Sequence, residues 1–188
     1  MDIRVFKDAG LLAHAEDLHS VYVDAFCAPP WDEDEEQAVE FVGRLRVNVG
    51  RPGFAAATAV QDGEMLGFAI AFTTLAPFPD DRCYPQAAAG LGAERTLRWL
   101  VGAREVDTLA VRPDARGTGL AARLLEAVTA DAPGGRSWLL TSVQSGRAMS
   151  FYRRQGWTQA THPSPAGNGI AVFLGPHHPA RDLAPQPL

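Results

Sequence analysis

The stretch from Glu105 to Ala130, E-V-D-T-L-A-V-R-P-D-A-R-G-T-G-L-A-A-R-L-L-E-A-V-T-A, decides how the rest of the chain is read. Its first part, Val106 to Val111, alternates and is rich in Val, Leu and Thr, which predicts a strand. Pro113 and Asp114 stop that strand, because proline donates nothing to a β ladder and suits a turn. From Leu120 the apolar positions Leu120, Leu124, Leu125 and Val128 fall on one face of a helix. The glycines of Arg116-Gly117-Thr118-Gly119-Leu120-Ala121 therefore stand where a strand hands over to a helix.

That placement has a chemical consequence. The first turn of a helix carries backbone N–H groups without intrahelical partners, and the helix dipole makes that end positive. Gly117 and Gly119 have no side chain to cover the backbone, Ala121 adds little bulk, and Arg116 supplies a forked, fixed positive charge. Together these features describe a cradle for a diphosphate. Gly117-x-Gly119-x-x-Ala122 also fits the dinucleotide fingerprint. However, the next predicted strand, Ser137 to Val143, leads into Gln144 and Ser145 and offers no acid to hold a ribose. Nor is this a Walker loop, since no Gly-Lys-Ser/Thr follows.

Two blocks carry a family resemblance. Leu109-Ala110-Val111-x-Pro113-x-x-Arg116-Gly117-Thr118-Gly119-Leu120-Ala121 resembles the acyl-CoA-binding signature of the GCN5-related N-acetyltransferases (GNAT). Ser145-Gly-Arg-Ala148-Met-Ser-Phe151-Tyr152-Arg-Arg-Gln-Gly156-Trp157 resembles that family's later motif, with Ser145 where Asn is usual and Trp157 where Phe is usual. The resemblance covers Phe54 to Leu174. It implies an α/β fold with a mostly antiparallel central sheet of six or seven strands, helices on both faces, and the fourth and fifth strands splayed. It also implies acetyl-CoA as co-substrate, a primary amine as acceptor, and a homodimer as a possible assembly.

The resemblance distributes roles over the motif. Arg116 to Ala121 hold the diphosphate, while Leu109, Ala110 and Val111 offer backbone groups to the pantetheine arm and to the developing oxyanion. Ser145 stands where Asn often bonds that arm, with a shorter reach. The hydroxyl of Tyr152, a donor at neutral pH, stands where the family's tyrosine protonates the leaving thiolate; the plainer reading is a tyrosine that packs on its helix and orders the cofactor. Glu105 stands where family members often carry a general base. Asp107 shares its face at i+2, and two adjacent carboxylates would raise one pKa. Alternatively, Glu105 is an exposed strand-end charge pairing with Arg104 or Arg112, or the amine is taken from solution already free.

The rest of the chain fits one domain over 1–175, followed by a loose tail over 176–188 in which His177-His178 is solvated rather than metal-bound. The net charge of −5 and the lack of a basic patch argue against nucleic acid as a partner. This mild acidity reads first as a means of solubility, and it also suits a cationic small acceptor. Cys27 and Cys83 show no metal spacing and read as free thiols. No signal-like segment or membrane-length apolar run is evident, so a cytoplasmic protein without membrane or metal partners is expected.

Ile3 to Lys7 predicts a strand and Glu16 to Phe26 a helix. The acids Asp32 to Glu36 precede a second helix, either complementing its dipole or attracting a substrate amine, with Trp31 as a candidate wall of the acceptor site. Phe54–Val60 and Met65–Thr73 form a hairpin around Asp62-Gly63. Residues 75–84 read as irregular and Ala93 to Val101 as a helix with Leu97, Leu100 and Val101 on its buried side. This long connection suggests a covered acceptor site, and Tyr84, Trp99, Asp80 and Asp81 are candidates to touch the acceptor. Arg147 to Gln155 predicts a helix. Thr158–Thr161 and Ile170–Leu174 predict a closing strand pair around a Pro/Gly loop.

Overall fold

The computed structural model describes residues 2–29, 31–162 and 169–184. Most of the expected Pro/Gly loop, 163–168, and the end of the tail, 185–188, lie outside the described residues. The strands are β1 (Asp2–Phe6), β2 (Ala55–Gln61), β3 (Glu64–Thr73), β4 (Arg104–Val111), β5 (Ser137–Ser142), β6 (Thr158–Gln159) and β7 (Ile170–Leu174). They form one sheet in the order β1-β2-β3-β4-β5-β7-β6, giving the mostly antiparallel α/β architecture that the motifs imply. The helices are α1 (Ala15–Phe26), α2 (Glu35–Asn48), α3 (Tyr84–Leu91), α4 (Ala93–Arg95), α5 (Leu120–Thr129) and α6 (Gly146–Arg154). The chain divides into two compact units, Met1–Phe72 with Val106–Ala130, and Thr73–Glu105 with Asp131–Leu188, so β4 itself spans the division.

In the first unit, Asp62 (φ 54°) and Gly63 (φ 86°) both take positive φ, as a tight two-residue hairpin turn requires, and Gln61 pairs with Glu64 across it. Leu18, Val21, Tyr22 and Ala25 of α1, with Ala38, Phe41 and Leu45 of α2, pack with Phe54, Phe68 and Ile70 into one core. Helix α2 starts at a capping box: Asp34 accepts from the Gln37 N–H at 2.9 Å and Gln37 Oε1 accepts from the Asp34 N–H at 3.0 Å. Glu35 and Glu36 lie in its first turn, where the dipole favours them. Gly67 admits close approach: a Cβ there would stand 2.8 Å from the Ala110 carbonyl oxygen, 3.1 Å from Val111 Cγ2 and 3.2 Å from Leu124 Cδ1. Arg112, at the end of β4, ties this region to α1. Its guanidinium pairs with Asp24, donates to Ser20 Oγ at 3.0 Å, and donates through Nε to the Met65 carbonyl at 2.8 Å.

In the second unit β7 pairs antiparallel with both β5 and β6. The connection after β3 is more structured than its sequence suggests. Residues 84–91 are the helix α3, with Pro85 in its first turn and Gly92 (φ 80°) ending it. Beyond α4 the backbone takes a π-helical turn, Thr96–Leu100, in which the Val101 N–H reaches the Thr96 carbonyl at 3.3 Å. The wider i→i+5 turn rotates the side chains away from ordinary helical positions. Thr96, Trp99 and Leu100 are therefore buried, while Leu97, expected inside, is 62% exposed. Tyr84, Ala87, Leu91, Trp99, Leu100 and Trp138 share the core of this unit.

His178 is not solvated: only 1% of it is exposed. The Ala180 N–H donates to its Nδ1 at 3.1 Å, so Nε2 carries the proton of the neutral ring and donates to the Trp99 carbonyl at 3.0 Å. Ala180 is buried as well, and residues Arg181–Leu183 form a 3-10 turn, so the chain beyond Gly175 packs through this segment. Burial lowers the pKa of His178; the bond to Trp99 opposes that and the charge of Arg136 adds to it.

Gly67→Ala is expected to destabilise the fold by about 1–3 kcal/mol, the usual cost of overpacking, read as a lower urea midpoint with an unchanged slope. His178 titrates with a depressed pKa in the folded state. Its contribution is therefore complete above the unfolded value of about 6.5 and is lost as pH falls below it. Melting curves from pH 8 to 5 check this: His178→Ala should be less stable at pH 8 by about 1–3 kcal/mol and should lose less than the parent on acidification.

Candidate active site

The cradle belongs to the first unit. Pro113–Ala115 makes one 3-10 turn, and Thr118 Oγ1 donates back to the Ala115 carbonyl at 2.8 Å, which shapes the loop. Gly117 (φ 81°) and Gly119 (φ 83°) both take left-handed conformations, and a Cβ at either would meet nothing within 4 Å. Gly119 is the N-cap of α5 and gives it no side-chain cap, so the first-turn N–H groups at Leu120 and Ala121 have no such partner. Residues 116–119 are exposed, whereas the Leu120 side chain is buried in the core, leaving only its backbone for a ligand. Arg116 Nε donates to the Val111 carbonyl at 3.3 Å, which tethers the guanidinium and leaves its Nη groups without a partner among the described residues. Open space, uncapped amides and a tethered guanidinium fit a diphosphate. On β4, Leu109 is half-buried, Ala110 and Val111 are buried, and the Ala110 carbonyl lies against Gly67.

The second unit holds both sequence-derived catalytic candidates. Glu105 is not an exposed strand-end charge: it is 4% exposed. Tyr84 Oη donates to its Oε1 at 2.5 Å and Thr74 Oγ1 to its Oε2 at 3.0 Å. The Trp138 indole N–H donates to Thr74 Oγ1 at 2.8 Å. Arg104 pairs with Asp131 at 2.9 Å, and Arg112 with Asp24 and Glu64. Tyr84, a candidate to touch the acceptor, is thus a buried partner of Glu105. No local pattern discloses this link, because the two residues are 21 apart in the chain. Of the other acceptor candidates, Trp99 is buried beside His178, and Asp80 and Asp81 are exposed.

Tyr152, on α6, packs its ring against Phe151, Trp157 and Phe173 at centroid distances of 5.2, 6.1 and 5.7 Å. Its hydroxyl makes no hydrogen bond among the described residues. Burial pushes its pKa well up, so it holds its proton throughout the neutral range. Ser145 is the N-cap of α6 and accepts from the Ala148 N–H at 3.4 Å, so the residue that replaces Asn also starts the helix carrying Tyr152.

The acidic run before α2 is largely spent on structure. Glu33 accepts from Tyr22 Oη at 2.5 Å, Asp34 caps α2, and Trp31 lies edge-on to Phe26 at 5.7 Å. A shallow groove of about 420 Å³ beside it is lined by His19, Ser20, Val23, Asp24, Cys27 and Glu35. Burial, with Glu33, Asp34 and Glu35 nearby, raises the pKa of the Cys27 thiol. Both cysteines are free. Among the described residues no three His, Cys, Asp or Glu side chains are placed to hold a metal, and no helix is long and apolar enough to cross a membrane.

Comparison with known proteins bears on the same segment. The family described as "Acetyltransferase (GNAT) domain" matches residues 54–159, which include β4, the cradle and Tyr152. No curated protein matches the sequence. The fold is similar to that of a histone acetyltransferase HPA2 and related acetyltransferase from Corynebacterium glutamicum, at 21% identity, with 94% of this chain and 97% of that one covered and a TM-score of 0.61. It is also similar to the ribosomal-protein-S18-alanine N-acetyltransferase of Escherichia coli, at 17% identity over 94% of each chain with a TM-score of 0.58. A third similar structure is the PaiA N-acetyltransferase of Thermoplasma acidophilum in complex with coenzyme A, at 14% identity over 93% and 99% of the two chains, TM-score 0.55. With its motifs, its sheet and this match over more than half its length, the chain belongs to the GNAT acetyltransferases.

Proposed function

We propose that this acetyltransferase moves the acetyl group of acetyl-CoA to a primary amine of a small molecule by direct attack in a ternary complex. The observation that carries this reading is Tyr152: a buried phenol in the motif's tyrosine position, kept protonated, with a hydroxyl that no described residue engages. A chain that only bound acyl-CoA would have no use for such a hydroxyl.

In this reading the amides of Leu120 and Ala121, with Gly117, Thr118, Gly119 and the Arg116 guanidinium, take the diphosphate. Backbone groups of Leu109, Ala110 and Val111 orient the thioester and stabilise the oxyanion. Ser145 keeps one hydroxyl proton to offer the pantetheine arm while it caps α6. Glu105 takes the proton that the acceptor ammonium must lose before nitrogen has a lone pair. The N–C bond forms, the C–S bond breaks, Tyr152 donates its proton to the departing sulfur, and the second proton that the nitrogen gives up on becoming an amide returns Tyr152 to its neutral form. The net charge of −5 and the folding of 84–100 into helices support a compact cationic acceptor, and we place the reaction in the cytoplasm.

Acetyl-CoA at about a hundred times its dissociation constant is expected to raise the melting temperature by roughly 5–10 °C, with NAD giving no shift. Absence of a shift with both acetyl-CoA and CoA would sink the assignment of the cradle. Tyr152→Phe is expected to lower turnover about a hundredfold or more while leaving acetyl-CoA affinity nearly intact, measured by free-thiol release and by titration. Unchanged turnover removes the acid role. Transfer to peptide N-termini or lysines, with none to a panel of small amines, reverses the acceptor class.

A further inference from the structure

Resting on the reading of Glu105 as proton acceptor, we infer that Tyr84 is a positioning residue of the reaction: with Thr74 it holds the Glu105 carboxylate ionised and in one orientation, and so sets the pH below which turnover fails. Both oxygens of Glu105 accept from hydroxyls, Oε1 from Tyr84 at 2.5 Å and Oε2 from Thr74 at 3.0 Å. The direction of the second bond is enforced. An indole N–H can only donate, so Thr74 Oγ1 accepts from Trp138 at 2.8 Å and its own proton is directed to Glu105.

The donors are themselves fixed. The Thr74 N–H donates to the Ala103 carbonyl at 3.0 Å, and the Thr74 carbonyl accepts from the Gly102 N–H at 2.7 Å. The Tyr84 ring lies edge-on to Phe78 at 5.5 Å and to Trp138 at 6.3 Å. Tyr84 comes from α3, in the connection that the sequence reads as an irregular excess over the motif. That connection thereby acquires a chemical task.

Two opposed effects act on this carboxylate. Burial favours its protonated form, whereas each donated hydrogen bond favours the anion. Along β4 the charged residues nearest in sequence are Arg104 and Asp107, and Arg136 accepts at its carbonyl from the Arg104 N–H at 2.9 Å, while Thr74 and Trp138 bring no charge. Arg104 pairs with Asp131 at 2.9 Å, and Asp107 accepts from Thr108 at 2.9 Å. The guanidinium of Arg136 donates to the carbonyls of Arg98 and Val101. The hydroxyls of Tyr84 and Thr74 are thus neighbours whose removal changes the proton affinity of Glu105 while changing no charge. Losing a donor to the anion raises the pKa, so the acid limb of the rate profile moves to higher pH.

The test is the pH dependence of kcat/KM for the amine at saturating acetyl-CoA, on the full chain, read by free-thiol release. Tyr84→Phe is expected to move the acid limb up by about one pH unit, lowering the rate about tenfold at pH values below the limb and leaving the high-pH plateau in place, with the KM for acetyl-CoA unchanged. Thr74→Ala should move the limb in the same direction, and Thr74→Ser should leave it in place. The threonine pair carries the test if Tyr84→Phe melts below the assay temperature. A loss that is uniform in pH, or an unmoved limb in both Tyr84→Phe and Thr74→Ala, overturns the inference. A parent protein that turns over amines while Glu105→Gln does so equally well also overturns it and leaves acetyl transfer standing. A parent with neither acetyl-CoA stabilisation nor thiol release sinks both.

Discussion

A carboxylate removed from water must find hydrogen-bond donors for its oxygens or give up its charge. Glu105 meets that requirement through hydroxyls brought from distant parts of the chain: Tyr84 from α3 and Thr74 from just past β3. Trp138 on β5 then satisfies Thr74. Four segments of the second unit meet at one buried carboxyl group, and each polar atom in the chain of bonds orders the next. The aromatic packing of Phe78, Tyr84 and Trp138 surrounds the same point, so the apolar core and the polar network hold each other in register. The connection over 75–101 packs through Tyr84, Ala87, Leu91, Trp99 and Leu100, and its tyrosine also reaches this carboxylate.

The first unit is governed by a different constraint, close backbone approach. Gly67 lets the Ala110 carbonyl, Val111 and Leu124 crowd against β3, where any side chain would collide. Gly117 and Gly119 answer the opposite need. Space around them is open, and it is their positive φ that requires glycine. One glycine thus sets the packing of β4 and α5, and two others leave the start of α5 uncovered. Arg112 and Arg116 complete the arrangement from either side of the turn, one bound to α1 and the other tethered to Val111.

Much of this was legible in the residues. The Asp62-Gly63 turn, the Glu35–Asn48 helix and the strand-to-helix handover at Arg116–Ala121 each depend on interactions within a few positions, which local sequence encodes directly. Other features were hidden for definable reasons. Helix α3 is short and alanine-rich, so its Tyr84, Ala87 and Leu91 spacing gives little contrast. The π turn at Thr96–Leu100 breaks the 3.6-residue period on which the choice of Leu97 as a buried residue relied. His178 looked like part of a solvated tail because its partner, the Trp99 carbonyl, lies 79 residues away.

By itself the sequence determined the family, the sheet-and-helix pattern, the cradle glycines and the tyrosine of the later motif. These are properties of spacing and of residue type, and spacing survives in one dimension. Only the tertiary structure decided that Glu105 is buried with both oxygens bonded, that Tyr84 and Thr74 are its donors, and that Ser145 starts the Tyr152 helix as its cap. The burial of a charge and the choice of its partners are set by what the folded chain brings within about 3 Å, and no periodicity along the sequence records that distance.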